Sequence, residues 1–284
     1  MADLKSYNGI AVANISKING TALSSLKSFN GLTISTGWNN ISGASYDSKS
    51  KNVSSQASGA KSPFFNTDGT KMYVGAYEYV YQYSLSTAWD VSTASYDSKR
   101  YKHGNDTTCY GLYFKSDGTK MYILIFGNTQ VYQYSLSTAW DVSTASYDSK
   151  SYNFGENIIS LYFKSDGTKM YTYRPDNNAI YQYSLSTAWD VSTASYEKYK
   201  LTGYSYMSGI TFGKSGEKVY LCSYVSDTIY QLSLSTAWDV STLSDDSNSF
   251  SISSQTGSPE EFIFDTNGTK FYLVGGEVVY QYSL

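Results

Sequence analysis

The sequence predicts an all-β protein built from five similar units, and three observations carry that reading. The five tryptophans, Trp38, Trp89, Trp140, Trp189 and Trp238, are spaced 51, 51, 49 and 49 residues apart. Five turn glycines, Gly69, Gly118, Gly167, Gly216 and Gly268, are spaced 49, 49, 49 and 52 residues apart. The chain stops at Tyr280-Gln-Tyr-Ser-Leu284, in the middle of a unit, and the missing remainder stands at Ile34-Ser-Thr-Gly-Trp38 through Ala44-Ser-Tyr-Asp-Ser48. Units of roughly 40 to 50 residues made of four short strands are the pattern of β-propeller blades. The expectation is a five-bladed β-propeller of four-stranded antiparallel blades over residues 35–284. The N- and C-terminal strands would share the last blade, which leaves no open end between first and last blade.

The third unit shows why each element forms. Ile158 to Phe163 is a short apolar run, and Lys164-Ser-Asp-Gly-Thr168 follows with Asp-Gly as a hairpin turn. Lys169 to Tyr173 is a second strand, and Arg174-Pro-Asp-Asn-Asn178 is turn chemistry. Ala179 to Leu185 is rich in β-branched and aromatic residues, as a third strand should be, and a polar fourth strand runs near Ala194 to Leu201. A β-solenoid is the alternative fold, but its repeats are shorter and lack a hairpin phrase. Pro63 and Pro259 are placed just before the first strand of a blade, where a missing donor is tolerated. Tyr81, Tyr83 and their counterparts Tyr132, Tyr134, Tyr181 and Tyr183 read as core, since blades pack on both faces. Each tryptophan follows directly on a strand and reads as filler of the seam between blades, although a tryptophan also stacks on sugars.

Residues 1–34 form a different object, with a repeat of their own. Tyr7-Asn8-Gly9, Ile18-Asn19-Gly20 and Phe29-Asn30-Gly31 recur every 11 residues, and Leu4, Ile15 and Leu26 each precede an Asn by four. Asn-Gly is a turn former, and units this short need neighbours to bury their apolar positions. Leu4, Tyr7, Ile15, Ile18, Leu26 and Phe29 are the candidate assembly or anchoring residues; the alternative is an appendage packed on the propeller.

Composition excludes several classes of function. The chain of 284 residues carries 21 Lys plus Arg against 24 Asp plus Glu, a net charge of −3. That balance lacks the clustered basic surface nucleic acids require and does not suit an anionic membrane surface. Tyrosine is over-represented at 31 residues, and 41% hydrophobic content rules out a disordered chain. No run of 18 apolar residues reads as a membrane span, and the N-terminus has no signal-peptide pattern. Cys109 and Cys222 read as small core residues of a protein folded in a reducing cytoplasm.

Chemistry finds little purchase. Five-bladed propellers can carry glycosidases, which need two carboxylates about 5 to 10 Å apart near the ring axis. Most acids here recur once per unit, which argues a structural cause; Asp106, Glu156, Asp176, Asp227 and Glu260 do not recur. His103 is the only histidine and reads as a solvated loop residue. With no triad, no cysteine–histidine pair and no clustered metal ligands, the expectation is no enzyme, no catalytic residue, no metal and no cofactor.

The five units differ most in the loops on one face: between blades, and between second and third strands. Loops on a rigid scaffold are the usual seat of recognition, and these are rich in Tyr, Ser, Gly and Asn, as recognition surfaces are. The candidate ligand-binding residues are His103, Asp106, Glu156, Arg174, Asp176, Tyr204, Tyr206, Tyr224 and Asp227. Loop drift without selection is the plainer account. A rival is a lectin with five equal sites on the tryptophan phrases.

The phrase Phe114-Lys-Ser-Asp-Gly-Thr-Lys-Met-Tyr122, with Val131-Tyr-Gln-Tyr-Ser-Leu-Ser-Thr-Ala-Trp140, resembles propeller repeats in structural proteins of tailed bacteriophages, marine ones above all. Asn14-Ile-Ser-Lys-Ile-Asn-Gly20 resembles the short repeats that open some phage fibre and virion proteins. The resemblance implies a fibre, capsid-decoration or receptor-binding protein, made in the host cytoplasm and carried on the virion. Its partners would be other virion proteins through residues 1–34 and a host cell-surface glycan or protein, with a homo-oligomer, a trimer by analogy with fibres, as the assembly. It implies neither nucleic-acid binding nor membrane insertion, and it supplies no catalytic motif.

Overall fold

The structure is a computed structural model. It describes residues 6–7, 10–11, 17–18, 21–22, 28–29, 32–33 and 40–284, except 105, 106 and 128. Contacts divide the chain into two units, Met1–Asn39 and Asn40–Leu284. In the first, two-residue strands flank each Asn-Gly and pair antiparallel: β1 (Ser6–Tyr7) with β2 (Ile10–Ala11), β3 (Lys17–Ile18) with β4 (Thr21–Ala22), and β5 (Ser28–Phe29) with β6 (Leu32–Thr33).

The second unit is a five-bladed β-propeller. Blade 1 is β8 (Ser62–Phe65), β9 (Lys71–Gly75), β10 (Tyr79–Leu85) and β11 (Ala94–Lys102). Blade 2 is β12 (Cys109–Phe114), β13 (Lys120–Ile125), β14 (Gln130–Leu136) and β15 (Ala145–Asn153). Blade 3 is β16 (Ser160–Phe163), β17 (Lys169–Arg174), β18 (Ala179–Leu185) and β19 (Ala194–Leu201). Blade 4 is β20 (Met207–Phe212), β21 (Lys218–Ser223), β22 (Thr228–Leu234) and β23 (Leu243–Ser251). Blade 5 takes β24 (Pro259–Phe264), β25 (Lys270–Gly275) and β26 (Val278–Ser283) from the C-terminal end and β7 (Ser45–Asn52) from the N-terminal side. The closing pair runs antiparallel from Val278 opposite Asn52 to Ser283 opposite Ser45. First strands of neighbouring blades touch one another, so they line the axis. Pro63 and Pro259 lie inside first strands rather than before them. An innermost strand is a sheet edge, where a proline's missing donor is tolerated.

The paired spacing of glycine and tryptophan has a steric cause. Trp89, Trp140, Trp189 and Trp238 adopt left-handed backbone angles, φ +64° to +66°. Their amides donate to the carbonyls of Gly69, Gly118, Gly167 and Gly216 at 2.9–3.0 Å. Each ring then lies flat on its glycine; a Cβ on Gly118 would sit 2.4 Å from Trp140. Any side chain there would collide with the ring, and the glycines' own positive φ of about 72° adds to the constraint. The same tryptophans sit in the seams: Tyr73, Tyr122, Tyr171 and Tyr272 donate their hydroxyls to the Trp140, Trp189, Trp238 and Trp89 carbonyls of the next blade at 2.7–2.9 Å.

The seams are closed by a glutamine that each third strand carries between two aromatic or apolar residues. Gln82, Gln133, Gln182, Gln231 and Gln281 are all buried, at 2% exposure or less. Their carbonyl oxygens accept from the amides of Val142, Val191, Val240, Ile41 and Val91 of the next blade at 2.9–3.1 Å. The amide of Gln82, Gln133, Gln231 and Gln281 donates to a fourth-strand Asp of its own blade, and that of Gln182 to Glu197. The donating Val or Ile opens a single 3-10 turn capped by Asp90, Asp141, Asp190, Asp239 or Asn40. Those Asp caps also take a lysine from the preceding blade, Lys49, Lys99, Lys150 and Lys198, at 2.5–3.1 Å. At the fifth seam both partners change together: Asn248 stands for the lysine and Asn40 for the aspartate, joined at 2.8 Å.

The buried and exposed members of a seam should differ in weight. Gln133→Leu strands the Val191 amide and removes a donor from Asp148, so it should cost about 2 kcal/mol. Lys150→Ala removes an ion pair whose lysine side chain is 40% exposed, worth under about 1 kcal/mol. Equilibrium denaturation of the two variants measures both; an equal loss would contradict this ranking.

Candidate functional site at the ring axis

The second axial position of each blade is occupied in turn by Ser62, Gly111, Ser160, Gly209 and Glu261. Glu261, 6% exposed, reaches across the ring. It accepts from Ser62 of blade 1 and Ser160 of blade 3, while its own amide donates to the Lys61 carbonyl at 3.1 Å. Each serine hydroxyl accepts in turn from the next blade, from Leu112 at 2.9 Å and Ile210 at 3.0 Å. The two glycines leave room: a Cβ on Gly209 would lie 3.2 Å from the Glu261 Cγ. Burial drives the Glu261 carboxyl up to about 8, with the neighbouring Glu260 charge adding to it; the Ser160, Ser62 and Leu161 hydrogen bonds pull the other way. This polar knot closes the axis.

One residue nearer the variable face, Lys61, Tyr110, Ile159, Ser208 and Glu260 form the wall of a cavity of about 380 Å³. Phe126, Pro175 and Tyr224 from second-to-third-strand loops, and Gly257 and Ser258 from the loop before blade 5, complete it. Lys61 and Glu260 meet at 2.5 Å, each side chain about a quarter exposed. Burial raises the Glu260 pKa and Lys61 opposes that. Tyr110 and Phe126 stack at 4.5 Å and 22°, with the Lys61 ammonium 5.3 Å from the Tyr110 ring. Across the mouth Tyr224, 48% exposed, meets Tyr206 edge-on at 6.0 Å.

Of the residues expected from sequence, Tyr224 lines this mouth and Tyr206 contacts it. Glu156, Arg174 and Asp176 form a separate cluster, with Arg174 2.6 Å from Glu156 and 3.8 Å from Asp176. Arg174 and Glu156 line a second cleft of about 210 Å³ with Tyr152, Phe154 and Tyr181. Tyr204 is tied down, its ring 4.2 Å from Tyr230 and its hydroxyl donating to Asp245 at 2.7 Å. Asp227 is half-buried and its carbonyl accepts from Ile252 at 2.8 Å. His103 is not a solvated loop residue: it is buried, its amide donates to the Glu78 carbonyl at 3.0 Å, and desolvation lowers its ring to about 4. Asp106 lies outside the described residues, as do Leu4, Ile15 and Leu26; Tyr7, Ile18 and Phe29 fall within the short hairpin strands. Sequence reasoning missed Lys61, Tyr110 and Glu261, and placed Phe126 in a variable loop without singling it out. The available signal was divergence at one register of an otherwise repeated first strand.

No family model and no curated protein matches the chain. Solved structures do resemble it in fold. One is a provisionally named 6-phosphogluconolactonase from Bacteroides uniformis, at 11% identity and a TM-score of 0.49 over 74% of this chain and 62% of that one. Another is the periplasmic gluconolactonase PpgL of Pseudomonas aeruginosa, at 13% identity and 0.45 over 66% and 52%. The Cps50 (Swd1) propeller domain of a Myceliophthora species matches at 10% and 0.46 over 85% and 99%. The chain thus spans about three-fifths of the first of these. Several of these neighbours bear lactonase names, which stands against the expectation that the chain is no enzyme. At this identity the lactonase names remain those proteins' own.

Glu261 should make stability fall with rising pH. Its folded pKa lies above its ordinary value of 4.5, so its contribution is complete below 4.5 and is lost as pH rises toward about 8. The E261Q variant does not titrate. Its thermal midpoint should gain on wild type by at least ~3 °C between pH 5 and pH 9, and a constant difference across that range would contradict the assignment.

Proposed function

We propose that this chain is a recognition and display module, carried on a tailed-phage particle, with residues 1–34 as its attachment segment and the variable face of the propeller turned to its ligand. The observation that carries this reading is the inequality of the two faces. On one, hairpin turns and tryptophan phrases repeat from blade to blade and satisfy one another. Leu136 donates to Thr119 at 2.9 Å and Trp140 to Gly118 at 3.0 Å, and each has its counterpart in other blades. On the other, most loops differ from blade to blade, although Val53-Ser-Ser-Gln-Ala57 and Ile252-Ser-Ser-Gln-Thr256 share one turn, and Tyr77, Phe126, Tyr206, Tyr224 and Val225 stand 41–61% exposed. Tyr147, Tyr196, Tyr199 and Leu201 on the outermost strands are exposed to the same degree, so what singles out this face is its variable loops together with the cavity they frame. The rival with five equal sites loses support, because four of the tryptophan rings lie on their glycines in the seams.

Isolated hairpins as short as those before residue 40 are marginal in water, which favours their burial against a partner or sister copies. Two measurements test the reading. Light scattering should find that residues 1–284 assemble while residues 35–284 form a folded monomer; identical monomers would refute self-assembly through the N-terminal segment. Binding of the full chain to bacterial surface polysaccharide should saturate near one site per chain, and five equal sites would refute the single variable face.

A further inference from the structure

We propose that the axial mouth binds one neutral saccharide ring, the terminal residue of a glycan; the inference rests on reading the variable face as a recognition surface. A sugar ring has an apolar C–H face and a rim of hydroxyls. The mouth offers a counterpart to each. The Tyr110–Phe126 stack supplies an aromatic wall, with Phe126 41% exposed and free to cover a ring, and Tyr224 stands on the other side. For the rim, Lys61 donates and Glu260 accepts. Held 2.5 Å apart, they present polar atoms of both kinds while cancelling each other's charge. An anionic ligand would have to displace Glu260 from Lys61 and leave a partly buried carboxylate unpaired, which is costly. That selects neutral sugars over phosphorylated or acidic ones.

Size and depth select the terminal residue. A cavity of about 380 Å³ lies at the lower end of the range for small-molecule sites, about 300–1,000 Å³. Its floor is closed, because Glu261 is clamped by Ser62 and Ser160 immediately below Glu260. A chain cannot thread through; it can only present its end.

Saturation-transfer NMR with the full chain tests this, using methyl glycosides of neutral hexoses and, as charged counterparts, methyl glucuronoside and glucose 6-phosphate. Neutral glycosides should receive saturation and the charged ones should not. Phe126→Ala and Tyr224→Ala remove exposed rings, so the fold should survive, as thermal midpoints will report; each should weaken binding about tenfold or more. Preference for the charged sugars, or binding by both variants at wild-type strength, overturns the proposal. If both variants bind as wild type while Tyr77→Ala does not, the mouth fails and the variable face stands. If no saccharide binds at all, this inference fails, and the face reading is judged separately by polysaccharide binding.

Discussion

The structure depends on a buried amide bridging two sheets. A propeller blade is apolar on both faces, and apolar packing alone does not set the angle or register at which one blade meets the next. A glutamine between core residues removes that freedom. Its oxygen must find a donor, and the donor offered is the first amide of the 3-10 turn on the next blade. Its nitrogen must find an acceptor, and a fourth-strand carboxylate of its own blade supplies one. Both are buried, so failure to pair is expensive. Repeated at every seam, the bridge sets blade against blade and lets the ring close through Gln281 to Val91 and Gln231 to Ile41.

The site follows from that closure. Lys61 belongs to blade 1 and Glu260 to blade 5, so the ion pair of the mouth spans a seam that is complete only when β7 has joined β26. Glu261 spans further, to blades 1 and 3. Mouth walls and axial knot are therefore products of ring geometry. The bridges absorb the structural demands on the repeated face, and the loops of the other face are left free to differ, which is what a recognition surface needs.

The fold was legible because its unit is written several times over and its broken unit is visible at both ends of the chain. The tryptophan–glycine coupling was legible as a spacing, although its cause, a ring lying on a residue that has no Cβ, needed coordinates. The glutamine was hidden inside a strand phrase that reads as ordinary alternation. Tyr81, Gln82 and Tyr83 are all buried, so no period-two pattern singles the amide out. The site was only partly legible. Variable loops pointed to the face on which the axial cavity opens and to Tyr224, but first-strand residues meet at the axis only after closure, so Lys61 and Glu261 could be noticed only by comparing one register across the five first strands. His103 misled for the same reason: a Gly-Asn neighbourhood suggests solvent, while the strand pairing beside it buries the ring.

Closure by a glutamine bridge at every seam, the N-terminal one included, is the claim on which mouth and face both rest. Native-state hydrogen exchange at the amides of Ile41, Val91, Val142, Val191 and Val240 tests it directly. The account predicts comparable, strong protection at all of them, with Ile41 no weaker than the rest. Rapid exchange at Ile41 alone would mean an open ring and would contradict it.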